Sequence, residues 1–120
     1  MDIVWSDLGA GLLKAVLEYV KDNFGENAAR QTLNKISEKV ELLRCFPGIG
    51  VKDFDLTDST EFGACIEVRH LVLPPNIVYY LIDGDEIVII AVLHAHQSRE
   101  TIRDIVTDVL EKYKSTTAAK

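Results

Sequence analysis

Two apolar runs in the second half of the chain, joined by a short acidic turn, leave little choice of fold. Ile77-Val78-Tyr79-Tyr80-Leu81-Ile82 leads into Asp83-Gly84-Asp85-Glu86 and then into Ile87-Val88-Ile89-Ile90-Ala91-Val92-Leu93-His94. β-Branched and aromatic side chains suit a pleated backbone. Asp-Gly supplies the positive φ that a tight hairpin turn needs. The second run is apolar at nearly every position, so both faces of that strand must be covered. It then ends abruptly in His94-Ala95-His96-Gln97-Ser98-Arg99, a polar and titratable stretch that a buried central strand would hold in place.

The cover has to come from helices, and the first half of the chain provides them. Ile3-Val4-Trp5-Ser6 reads as a short strand, with Ser6 placed as an N-cap and Asp7 in the first turn of a helix. Leu8, Leu12, Leu13, Val16, Leu17, Tyr19, Val20 and Phe24 recur at helical spacing, and Gly25 stops the helix. Gly9 and Gly11 each cost about 1 kcal/mol relative to alanine. Either that turn frays or another backbone passes close to it.

A second helix starts near Asn27, with Ala29, Leu33, Ile36, Val40 and Leu43 as a narrow seam, and Phe46-Pro47-Gly48-Ile49-Gly50 ends it. Facing a first helix of similar length across a short turn, it makes an antiparallel hairpin. Residues 51–63 are polar and form a loop or a short irregular strand whose path stays open. A half-buried strand follows from Ala64 to Leu73, punctuated by Pro74-Pro75. Ser98 caps a last helix with Ile102, Ile105, Val106, Val109, Leu110 and Tyr113 on one face.

The order β-α-α-β-β-β-α defines an α+β protein. An N-terminal strand and an antiparallel helical hairpin pack on a small, mostly antiparallel sheet, with a C-terminal helix added. Residues 1–114 are read as one domain and 115–120 as a frayed tail. The apolar face of the last helix must cover something. It either caps the open sheet face as an intramolecular lid or forms a homodimer.

Composition narrows the functional classes. The 120 residues carry a formal net charge of -6, so general counterion-release attraction to nucleic acid is absent and any such contact needs a local basic patch. No run approaches the ~18 apolar residues of a membrane span. The N-terminus lacks the cationic region of a secretory signal. Cys45 and Cys65 sit in unrelated contexts and are read as reduced core or near-core thiols, which makes a cytoplasmic protein the expectation. Walker and dinucleotide glycine loops, HExxH and a zinc-type cysteine cluster are all missing, so no cofactor or metal is expected. Gly48-Ile49-Gly50 follows a helix and reads as a turn. Asp53, Asp55, Asp58 and Glu61 lack the spacing of a calcium loop and read as solvated.

Four residues stand out chemically. His94 and His96 flank Ala95 at a strand end, and alternation places both on one sheet face. They suit an acid/base dyad, a metal pair or two solvated imidazoles. Arg69, beside Glu67, either stabilises a phosphate or an acidic partner, or forms an ion pair on a solvated face. Tyr79 and Tyr80 point to opposite faces, so at least one belongs to the core while the other is available to stack on a base or sit in an interface.

Taken in order, these elements resemble the RelE/ParE superfamily, the toxins of bacterial type II toxin–antitoxin pairs (the group that includes plasmid-stabilisation proteins). The resemblance runs over about residues 3 to 98. It rests on Leu12-Leu13-x-x-Val16-Leu17-x-Tyr19-Val20 in the first helix, Ala28-Ala29 opening the second, and Leu43, Pro47 and Gly48 closing it. Arg69 on the next strand, Ile77-Val78-Tyr79 on the following one, and a final strand ending Val92-Leu93-His94 complete it.

The resemblance implies two helices on a twisted antiparallel sheet and a growth-inhibiting toxin held silent by a cognate antitoxin. It implies one of two modes. A ParE-like toxin binds a protein target, DNA gyrase, and needs no nuclease site. A RelE-like toxin enters the ribosome and cuts messenger RNA, here with Arg69, Tyr79, His94 and His96. The chain departs from the nuclease pattern: Asn76 stands where an arginine is usual, and His96-Gln97 replaces a basic pair. A ParE-like binding toxin is therefore the leading expectation. The RelE-like endoribonuclease comes second, and a non-toxic interaction domain on the same scaffold third.

Overall fold

The computed structural model of the chain describes residues 1–53, 66–94 and 97–118. The acidic turn closes as its sequence requires. Gly84 takes φ 59°, and β4 (Asn76–Asp83) and β5 (Glu86–His94) pair antiparallel from Asp83 opposite Glu86 to Asn76 opposite His94. β3 (Ile66–Leu73) pairs antiparallel with the other edge of β4 across the Pro74-Pro75 turn. A two-residue β2 (Val51–Lys52) adds to β3, the short strand that the 51–63 stretch left open. β1 (Asp2–Trp5) lies parallel to the far side of β5, giving a five-stranded sheet in the order β1-β5-β4-β3-β2. β5 is thus an interior strand, paired on both sides, and is buried from Ile87 to Leu93.

α1 (Asp7–Phe24) starts from a cap tied to that buried strand. The Ser6 N–H and hydroxyl both donate to the Ile89 carbonyl, at 3.1 and 2.9 Å, while Ser6 Oγ accepts from the Gly9 N–H at 2.9 Å. Gly9 is buried there because the Ile89 carbonyl oxygen occupies the space a Cβ would need. Close backbone approach, rather than fraying, explains this glycine. Gly11 has nothing within 4 Å. Gly25, at φ 94°, ends α1 and turns the chain into α2 (Glu26–Leu42). Of the α2 seam, Ile36, Val40 and Leu43 are buried, but Leu33 is 39% exposed, so only the C-terminal half reaches the sheet. Lys35 Nζ donates to the Pro74 carbonyl at 2.9 Å, tying α2 to the β3–β4 turn.

The sheet has a core on each face. On one, Ile36, Val40 and Leu43 of α2 meet Leu71, Val78, Tyr80, Ile89 and Val92, with Leu13 and Val16 of α1 alongside. On the other, Ile102 and Val106 of α3 (Arg99–Ala118) cover Val68, Tyr79, Leu81, Val88 and Ile90. Ser98 caps α3, its Oγ accepting from the Thr101 N–H at 3.1 Å. The register slips between Tyr79 and Tyr80, which face Ala91 and Ile89 respectively, so Ile90 is an extra residue in β5. That bulge leaves Ile90 and Ala91 in the same core cluster.

Two expectations change. Both tyrosines are core residues, Tyr79 at 6% and Tyr80 at 0% exposure, because each sheet face carries its own helical cover. Cys45 is exposed rather than near-core, since it lies in the turn beyond Leu43, where the α2 seam ends. Cys65 lies outside the described residues. Among the described residues, no helix is long and apolar enough to cross a membrane.

Candidate functional site

Strand alternation decides which candidate side chains can meet. Arg69 stands opposite Tyr80 and His70 opposite Tyr79 in the β3–β4 ladder. Arg69 and Tyr79 therefore project from opposite faces of the sheet. His94, opposite Asn76, sits at the far end of the β4–β5 ladder from the turn. The structure puts the three in separate places. His96 lies outside the described residues.

On the helical-hairpin face, Arg69 ties its own strand to the turn after α2. Its Nε donates to Glu67 Oε2 at 2.8 Å, and its Nη1 donates to the carbonyls of Gly50 at 2.7 Å and Gly48 at 3.2 Å. Tyr80 works on the same loop. Its hydroxyl donates to the Pro47 carbonyl at 2.7 Å and accepts from the Gly50 N–H at 3.0 Å. Burial pushes the Tyr80 pKa up, with the Gly50 N–H and the Arg69 charge pulling the other way. A Cβ at Gly50 would come within 2.5 Å of the Tyr80 hydroxyl, so only glycine lets the loop lie this close. The clamp holds a turn whose Phe46 and Ile49 side chains are exposed.

On the opposite face, the rings of His70 and Tyr79 meet with centroids 5.3 Å apart. Tyr79 is closed off from solvent there. At the end of the sheet, His94 opens onto a groove of about 790 Å³ between α1, the end of β5 and α3. Leu12, Val16, Tyr19, Val20 and Phe24 make its long wall and Ile105 the opposing one, with Asn76, His94 and Gln97 as the polar end. The His94 N–H donates to Gln97 Oε1 at 3.2 Å. Tyr19 and Phe24 are 57% and 69% exposed, an unusual outlay of aromatic surface for a monomeric helix. Among the described residues, no group of three or more metal-ligating side chains comes together. The chemistry on offer is apolar contact with a few hydrogen bonds at one end, which suits recognition.

The sequence pattern described as "ParE toxin of type II toxin-antitoxin system, parDE" matches residues 3–99. The chain belongs to the ParE toxin family. Among solved structures, the ParE-family fold is shared with a chain described as "Chromosomal ParDE TA system from P. aeruginosa". The two are 23% identical with a TM-score of 0.61, over 80% of this chain and 97% of that one. Among curated proteins none matches this ParE-family sequence.

Sequence reasoning missed two features of this ParE-family chain. The clamp joins residues from the α2–β2 turn, β3 and β4, and its one visible sign was Gly50 in Gly48-Ile49-Gly50. The groove was hidden because helical spacing from Leu12 to Phe24 does not tell which side chains of the stripe reach the sheet and which stay exposed. That stripe is wider than the sheet surface that receives it.

Proposed function

We propose that this toxin arrests growth by binding a protein target, with DNA gyrase the leading candidate, and that a cognate antitoxin silences it by binding it in turn. The observation that carries the reading is the engagement of Arg69. Metal-free cleavage of RNA by a 2′-hydroxyl needs several cations around the scissile phosphate. Arg69 instead spends three donor contacts on Glu67, Gly48 and Gly50, on the sheet face away from Tyr79. The net charge of -6 supports the same reading, since it favours protein contacts over a polyanion. The exposed aromatic groove beside His94 offers the kind of surface such contacts use.

Tightly controlled induction of the chain in a bacterial host tests this. The expected outcome is a fall in colony counts with filamented cells, intact messenger RNA, and loss of supercoiling when purified chain meets purified gyrase. Normal growth with soluble chain confirmed in the same cells overturns the toxin reading and leaves an interaction domain. Ribosome-dependent cuts that vanish in a folded Arg69→Ala chain overturn the binding mode in favour of the endoribonuclease.

A further inference from the structure

Strand register builds the polar end of the groove beside His94. In the β4–β5 ladder Asn76 stands opposite His94, and Val78 opposite Val92. Val78 and Val92 belong to the core under the helical hairpin, so alternation turns Asn76 and His94 to that same face, and both line the groove. Asn76 is 4% exposed, a polar residue at the burial of the apolar core. Its side-chain amide makes no hydrogen bond among the described residues. Native chains pair nearly all of their buried polar side chains, so an amide left over at the lip of a groove calls for a partner from outside. Gln97 adds to the same end. Its Oε1 accepts from the His94 N–H at 3.2 Å, which leaves its own N–H groups as donors.

We propose that this groove binds a neutral small molecule with a flat apolar body and one amide-type edge, an N–H beside a C=O. Asn76 offers a donor and an acceptor side by side, the complement of such an edge. None of the described lining residues is lysine, arginine, aspartate or glutamate, so a charged ligand would lie there without a fixed counter-charge. Val16, Tyr19, Val20 and Phe24 supply the apolar wall, and the exposed rings of Tyr19 and Phe24 suit a flat partner. At about 790 Å³ the groove has the size of a small-molecule site. This inference goes beyond the toxin reading and rests on the geometry of the groove alone, so neither stands or falls with the other.

Two probes of one shape test it on the purified full chain. Carbostyril is a fused bicyclic lactam that carries the N–H and C=O edge, and quinoline is the same bicycle without it. Each is titrated into isotope-labelled chain and followed by proton–nitrogen NMR. Carbostyril is expected to bind about tenfold or more tighter than quinoline, because only it pairs the buried amide. It should also move the side-chain amide signals of Asn76 and Gln97. Equal affinities, binding that leaves the Asn76 amide signals in place, or no saturable binding of either probe up to ~5 mM overturn the proposal.

Asn76→Leu separates the polar edge from the apolar wall. It keeps the volume and removes the amide, so quinoline should bind as before while carbostyril falls to the same affinity. A carbostyril preference that survives in this variant overturns the role given to Asn76. Asn76→Ala is the second variant should leucine not fit the buried position. Phe24→Ala, on the exposed wall, should weaken both probes by about threefold or more. Unchanged affinity for both in Phe24→Ala places the bound body elsewhere and overturns the site.

Discussion

The Tyr80 hydroxyl holds together a turn that no regular ladder reaches. Tyr80→Phe keeps the ring in the core but leaves the Pro47 carbonyl and the Gly50 N–H without their partner. The expected cost is about 1–3 kcal/mol, read as a lower urea midpoint with an unchanged slope. Alkaline titration gives a second reading. Burial raises the Tyr80 pKa from its ordinary 10.0 in the folded chain. In the unfolded chain the phenol loses its proton first. The unfolded state then binds fewer protons than the native one, so stability falls as pH rises above 10.0 and toward the raised value. Below that range this group leaves stability level. The Phe variant should lose that part of the alkaline decline, measured by urea unfolding in a pH series. Strand alternation made a buried tyrosine legible here; its hydroxyl partners were not, because they come from a turn with no periodicity to read.

Among the elements, α1 is positioned by its first turn rather than by its apolar stripe alone. Ser6 bonds to Ile89 from two groups, and Gly9 lets the helix backbone rest against the same carbonyl. Gly9→Ala forces backbone against backbone and is expected to cost about 1–3 kcal/mol, as overpacking does. Gly11→Ala faces open space and is expected to stabilise by about 0.8–1 kcal/mol, the difference in helix propensity. Thermal unfolding of the two variants side by side separates close approach from propensity. The sequence contained both glycines but no sign of which one touched another backbone.

The elements that were legible carried local signals: the Asp83-Gly84 turn, the Ser6 cap and the Gly25 stop. β2 was not, since two residues are too few for a period, and neither was the β5 bulge, which depends on how Tyr79 and Tyr80 register with a neighbour. The apolar stripe of α3 was legible as a cover for the open sheet face or a dimer seam, and Ile102 and Val106 lie in the core on that face. Full burial of a valine or isoleucine is worth about 1.5–3 kcal/mol, so Ile102 and Val106, the two buried side chains among those described on α3, contribute about 3–6 kcal/mol before their ordering cost.

At the scale of the whole molecule, charge separates the two modes of action more sharply than any single residue. Arg69, Tyr79 and His94 were each legible as unusual in the sequence. Their separation was not, because it follows from ladder register and from which face each residue takes. With Arg69 engaged and a net charge of -6, the chain lacks the field that draws a polyanion to a surface. Proteins that bind nucleic acid non-specifically do so with Kd of about 10⁻⁴–10⁻⁶ M at physiological salt, through phosphate contacts that release counterions. This chain should fall outside that range. Fluorescence anisotropy of a labelled single-stranded RNA should stay flat up to about 100 μM chain in ~0.15 M salt. Lowering the salt should bring no binding either, because the acidic chain offers no surplus of cations to displace counterions from the RNA. Arg69→Ala should leave the result unchanged while lowering the chain's own stability, since it removes the Gly48 and Gly50 contacts. A steep salt dependence that disappears in Arg69→Ala would instead show that the arginine leaves its clamp to meet phosphate, and the binding mode proposed for this toxin would fail with it.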